Sequence, residues 1–161
     1  MRFSRILVPL DGSALAEAAL PSAASLASAD TVVILMRAAE AHTMPCGDPT
    51  AAQVDAVREA EEYLAGVAAR LQLNGVKNIA TSVWYGPAAP AIVDAARLRK
   101  VDLIVMSTHG RSGLGRLILG SVAESVLRGT TTPILLRRSD GAPVELPAPS
   151  STTAPGEVAR A

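Results

Sequence analysis

The sequence predicts an α/β fold, Rossmann-like in kind: an open parallel sheet with helices on both faces. Two observations predict it. Short apolar runs rich in β-branched residues alternate with longer, Ala-rich amphipathic stretches, the pattern of strands joined by helical crossovers. The runs are apolar throughout rather than at every second residue, as strands buried on both faces are. The 161 residues fit one domain with a single core. Aromatics make up only 2% of the chain against 49% apolar residues, so alanine and small aliphatic side chains must fill the interior.

Ile6–Leu10 reads as the first strand, closed by Asp11-Gly12-Ser13. Ser13 is a good N-cap, and Ala14–Ala29 has helical composition, with Pro21 marking a kink or a break. Thr31–Met36 is the second strand. Ala38–Pro49, with Pro45, Gly47 and Pro49, reads as a mobile loop. Thr50–Leu73 is a long helix whose apolar stripe runs through Val54, Val57, Leu64, Val67 and Leu71, and Asn74-Gly75 stops it. Asn78–Trp84 is the third strand, ended by Gly86-Pro87, and Pro90–Arg99 a short helix. Asp102–Met106 is the fourth strand. Ser121–Arg128 is a helix opening on Ser-Val-Ala-Glu, a capping-box pattern. Pro133–Arg137 is the fifth strand. Residues 1–138 form the domain, and the Pro-, Ser- and Thr-rich residues 139–161 read as a disordered tail.

Fifteen basic residues balance fifteen acidic ones. That argues against a general nucleic-acid or membrane-surface binder, both of which need surplus positive charge. One cysteine, Cys46, suits a reducing compartment. The first apolar run breaks too early for a signal peptide, and no run approaches the roughly 20 residues of a membrane span. The expected location is cytoplasmic.

The most informative stretch is 106–121. The fourth strand runs into Gly110, Gly113, Gly115 and Gly120, and a helix opens at Ser121. Glycine lets backbone N–H groups approach a ligand closely, and a helix start offers unpaired N–H groups with a positive partial charge. Together they predict an anion site, best suited to phosphate. Arg111 and Arg116 could add charge. Ligands of open parallel sheets sit beyond the C-terminal strand ends. Two loops leave the sheet that way: Pro9–Ser13 and, after Met106, Ser107–Ser121. Asp11 is either an acceptor for a ribose hydroxyl or adenine amine, or a turn residue beside Gly12-Ser13. Neither the dinucleotide glycine fingerprint nor a Walker A loop is present: Gly115 to Ser121 has the Walker glycine spacing without its lysine.

Ile-Leu-Val-Pro-Leu-Asp-Gly-Ser at 6–13, the stretch 107–128 and Thr-Pro-Ile-Leu-Leu at 132–136 resemble the universal stress protein family over about residues 3–138. The resemblance implies a five-stranded sheet in the order 3-2-1-4-5 and a homodimer through the last strand, at Pro133–Arg137. The ATP-binding branch of that family carries Gly-x₂-Gly-x₉-Gly-Ser/Thr. Here Gly110, Gly120 and Ser121 match, and Ser107 stands in place of the first glycine. By resemblance, Asp11 contacts the nucleoside. Gly110, Gly120, Ser121 and the Val122 amide contact the phosphates. Ala38, just past the second strand, offers backbone groups to adenine. Pro9, Ser13, Met106, Ser107, His109, Arg111 and Gly113 complete the candidate binding set.

No Ser-His-Asp or acid–base set assembles around His109, which reads as a structural or ligand-contact residue. His42, Cys46 and Asp48 do not make a zinc set, so no metal site is expected. Arg97, Arg99 and Lys100 read as a solvated helix end. The leading expectation is an ATP-binding stress-response regulator, with or without Mg²⁺ and with slow turnover if any. The alternatives are an interaction module of the same fold without nucleotide and, third, an adenylate-processing enzyme. That enzyme would want a Ser-Gly-Gly-type loop after the first strand, which Asp11-Gly12-Ser13 is not.

Overall fold

In the computed structural model, residues 2–40, 49–109 and 120–139 are described. The strands are β1 (Arg5–Pro9), β2 (Val32–Ala39), β3 (Asn78–Tyr85), β4 (Leu103–His109) and β5 (Ile134–Ser139). They form one sheet in the order β3-β2-β1-β4-β5, and every pairing is parallel. The helices are α1 (Ala14–Glu17), α2 (Leu20–Leu26), α3 (Pro49–Leu73), α4 (Ala88–Leu98) and α5 (Ser121–Gly129).

Alternating strand residues supply two cores. Ile6, Val8, Val33, Leu35 and Val105 face α2 and α3, where they meet Leu20, Leu64 and Leu71. Leu7, Ile34, Met36, Ile104 and Met106 face α4 and α5 and meet Ile92, Ala95 and Val126. Burying a side chain of this size contributes about 1.5–3 kcal/mol, and both faces do so. That is why the strands read as continuous apolar runs.

The single helix expected over Ala14–Ala29 is two. The chain turns at Ala18 and Ala19, and Pro21 falls in the first turn of α2, where its missing N–H is not needed. Pro90 likewise sits in the first turn of α4, which begins two residues earlier than expected. The stripe expected along α3 holds only toward its C-terminus. Leu64, Val67 and Leu71 are buried, but Val54 is 61% exposed. A 25-residue helix is about 37 Å long and an eight-residue strand about 26 Å, so the start of α3 overhangs the sheet's C-terminal edge. At the far end, Gly75 takes a φ of +91° and the Val76 amide donates to the Leu71 carbonyl, as a glycine stop requires. Arg97, Arg99 and Lys100 are exposed at the end of α4, and Arg97 pairs with Asp94.

Two strands run further than their apolar runs. β2 reaches Ala39 and β4 reaches His109. These extensions, toward the sheet's C-terminal edge, bring in the half-buried Arg37 and Ser107 and the buried Thr108. Ala38 is therefore inside β2 rather than past it.

Candidate functional site

The site begins where β1 and β4 part. The two strands pair at Ile6↔Leu103 and Leu7↔Ile104 only. The Asp102 amide donates to the Arg5 carbonyl, so Arg5, Leu7 and Pro9 turn their backbone groups toward β4. The next donor would be at Pro9, which has no N–H. The ladder stops there and a fork opens between the strand ends. This is the topological switch point of the sheet, where ligands of such folds sit.

On the other flank of β1, the Leu10 amide donates to the Met36 carbonyl at 2.8 Å. Backbone groups of alternate strand residues point the same way, so Ala38 also faces the β1 side, beyond the point where β1 has turned away. Its N–H and carbonyl open onto the fork, while Ala39 accepts from the Gly86 amide on the β3 side.

Asp11 then fixes the turn. Its Oδ1 accepts from the Ser13 amide at 2.9 Å and from the Ser13 hydroxyl at 2.6 Å. Ser13 Oγ in turn accepts from the Ala16 amide and caps α1. Asp11 Oδ2 takes no hydrogen bond from the described residues. Gly12 between them has a φ of +90°, and a Cβ there would touch the Arg37 guanidinium at 3.7 Å. Arg37 pairs with Glu59 at 3.0 Å and lies over the Tyr63 ring, 5.2 Å from its centroid. The Tyr63 hydroxyl donates to Glu17, which also receives Arg70 at 2.8 Å. Burial and then the Glu17 carboxylate hold the Tyr63 phenol well above its ordinary pKa near 10.

Across the fork, α5 starts differently from the expected capping box. Gly120 is the N-cap, Ser121 is the first helical residue, and no side chain caps the helix. The Glu124 amide donates to the Gly120 carbonyl, and the Glu124 side chain pairs with Arg128 instead of reaching back. The amides of Ser121, Val122 and Ala123 thus find no partner among the described residues.

These elements enclose a cavity of about 180 Å³. One water centre needs roughly 10–15 Å³, so the hollow is ligand-sized rather than a packing void. Pro9, Asp11 and Ala38 line it from one side, and Met106, Ser107, Gly120, Ser121 and Val122 from the other. Ser13 stands behind Asp11 as the cap and does not line the cavity. His109 ends β4 opposite Ser139. The His109 side chain, Gly110, Arg111, Gly113 and Gly115, Arg116, the loop residues His42, Cys46 and Asp48, and the tail 140–161 lie outside the described residues. The sequence reading missed the apolar walls: Leu10, Leu15, Met36 and Ile92, with Ala88 and the buried Thr108. A third loop, Gly86-Pro87, leaves β3 at the same edge and brings α4 to the site. Its position after a strand end was the available signal.

Compared with known proteins, residues 2–138 match the model of the universal stress protein family. The chain belongs to the universal stress protein family. Over 78 residues it is 44% identical to universal stress protein MJ0531 of Methanocaldococcus jannaschii, a stretch covering 48% of this chain and 45% of that one. The chain spans about half the length of the first curated relatives it matches. Among solved structures, the hypothetical protein MJ0577 superposes with a TM-score of 0.73 at 23% identity, covering 88% of this chain and all of that one. A universal stress protein in complex with cAMP gives a TM-score of 0.67 at 22% identity, over 85% of this chain and 98% of that one. At such identities the likeness establishes the fold, and the five-stranded order 3-2-1-4-5 is the family's.

Proposed function

We propose that this universal stress protein is a regulatory nucleotide-binding protein of the stress response, with ATP or another adenine nucleotide as its ligand. The observation that carries the reading is the bare start of α5. A glycine N-cap leaves three amides unpartnered among the described residues, and a helix N-terminus carries about half a positive charge. It lines one side of a cavity whose other side is Asp11 and the open backbone edge at Ala38. Phosphates belong at Gly120 and on the Ser121 and Val122 amides, the ribose on Asp11, and adenine against Ala38 between the apolar walls of Met36, Leu15 and Ile92. Gly110 extends the phosphate end by resemblance, Arg111 beside it in sequence adds charge there, and His109 and Gly113 complete the candidate set. Mg²⁺, where present, would ride on the phosphates.

Among the described residues the cavity carries one carboxylate and no lysine, arginine or histidine side chain. Phosphoryl-transfer catalysts need a positioned base and cations around the phosphate. The reading is of a binding protein that signals through its bound state or its dimer, with slow turnover if any. No described helix is long and apolar enough to cross a membrane, and the proposed setting is the cytoplasm. The proposed assembly is a homodimer through β5, which lies at the sheet edge. The replacement of the first motif glycine by Ser107 favours a second reading, an interaction module without nucleotide.

Isothermal titration with ATP decides between them. Wild-type protein should bind with micromolar affinity, and Gly120→Val, which puts a branched side chain at the mouth of the amides, should abolish it. Absence of wild-type binding at millimolar ATP favours the interaction module.

A further inference from the structure

Ser107 departs from the nucleotide-binding pattern, and its hydroxyl has a defined job in the fold. Its Oγ donates to the Leu15 carbonyl in α1, across 92 positions of sequence. Helix α1 has only four residues and buries none of them. Isolated helices shorter than about 12–15 residues are marginal in water, so α1 depends on what holds it. Three sets of side-chain bonds do. Ser13, braced by Asp11, caps its start. Glu17 ties its end to Tyr63 and Arg70 of α3. Of these contacts, Ser107 alone draws α1 toward β4. The residue it grips, Leu15, and the next, Ala16, form the wall of the cavity.

We propose that Ser107 is a positioning residue of the ligand site: by clamping α1 to β4 it sets where Leu15 and Ala16 stand and so fixes the nucleoside end of the cavity. The proposal rests on the nucleotide-binding reading for its ligand. Glycine at this position has no hydroxyl and cannot make the bond. A clamped α1 means the nucleoside wall is in place before the ligand arrives, so affinity is not lost to ordering α1 on binding. The hydroxyl proton is committed to Leu15, which makes the residue's influence independent of the phosphates.

The test uses the full chain with Ser107→Ala and Ser107→Thr. In the ligand-free protein, hydrogen exchange of the α1 amides at Glu17, Ala18 and Ala19 should quicken about three- to tenfold in Ser107→Ala, the change expected for one hydrogen bond, while strand amides keep their protection. Ser107→Thr, which restores a hydroxyl, should recover slow exchange. Adenosine and ATP affinities should fall by the same factor in Ser107→Ala. Unchanged α1 exchange overturns the clamp. A loss for ATP with adenosine unaffected also overturns it, because the hydroxyl then acts on the phosphates directly. Wild-type protein that binds neither adenosine nor ATP refutes the proposed function instead, and the exchange measurement on the free protein then decides the clamp by itself.

Discussion

Asp11 offers a substitution that separates holding the turn from holding the ligand. Its Oδ1 accepts two hydrogen bonds from Ser13, at 2.9 and 2.6 Å, and Oδ2 is free of the described residues. Asparagine keeps an oxygen for both Ser13 bonds and loses the charge. Alanine loses everything. An exposed hydrogen bond contributes about 0.5–1.5 kcal/mol, so Asp11→Ala should cost about 1–2 kcal/mol of stability, with a Tm lower by roughly 2–8 °C. Asp11→Asn should cost less than about 0.5 kcal/mol. For the ligand, a charged acceptor exceeds a neutral one by about 1–1.5 kcal/mol, or roughly five- to fifteenfold in Kd. Titration calorimetry with ATP and urea unfolding measure the two quantities. The expected pattern is Asp11→Asn with wild-type stability and about tenfold weaker binding, and Asp11→Ala impaired in both. If Asp11→Asn binds as tightly as wild type while Asp11→Ala loses only stability, Asp11 is a turn residue alone and the ribose assignment fails.

Two further outcomes follow from contacts away from the cavity. Tyr63 has a folded pKa above its unfolded value near 10, so its contribution to stability is complete below about pH 10 and lost as pH rises beyond it. Tyr63→Phe should be about 1 kcal/mol less stable than wild type at pH 8, and urea midpoints should converge above pH 10; a constant gap across that range contradicts the Glu17 contact. At the sheet edge, the Ile104 amide donates to the Pro133 carbonyl, so Ile134, Leu136 and Arg138 turn their backbone groups outward. Light scattering after size exclusion should give twice the chain mass, and Arg138→Pro, which removes one outward N–H, should weaken the dimer about three- to tenfold; a monomer at high concentration counts against pairing through β5.

The parallel sheet was legible because nearly every strand residue between Ile6 and Leu136 that faces a core is apolar, and alternation alone assigns them to two helical layers. Boundaries failed where other physics takes over. Polar strand ends such as Ser107 and Thr108 belong to the site and carry no hydrophobic signal. Val54 fits the period of α3 but lies where the helix has outrun the sheet. Ser121 fits a capping box, yet Gly120 takes the cap and leaves the amides open, a choice that composition could not distinguish. For Asp11 the structure shows the turn role, with one carboxylate oxygen engaged twice by Ser13, and the nucleoside role stays a proposal. The apolar walls escaped because Leu15, Met36 and Ile92 look like any core residues until the fold brings them to the edge of a hollow.

The base of the hollow is marked by a missing hydrogen. Pro9 is an imino acid at the rung where the central strand would otherwise continue bonding to its neighbour, and the sheet unzips from that point. A residue able to supply that proton would add one rung at the base of the fork, while the helices that leave the two strands on opposite faces of the sheet would still hold its upper part open.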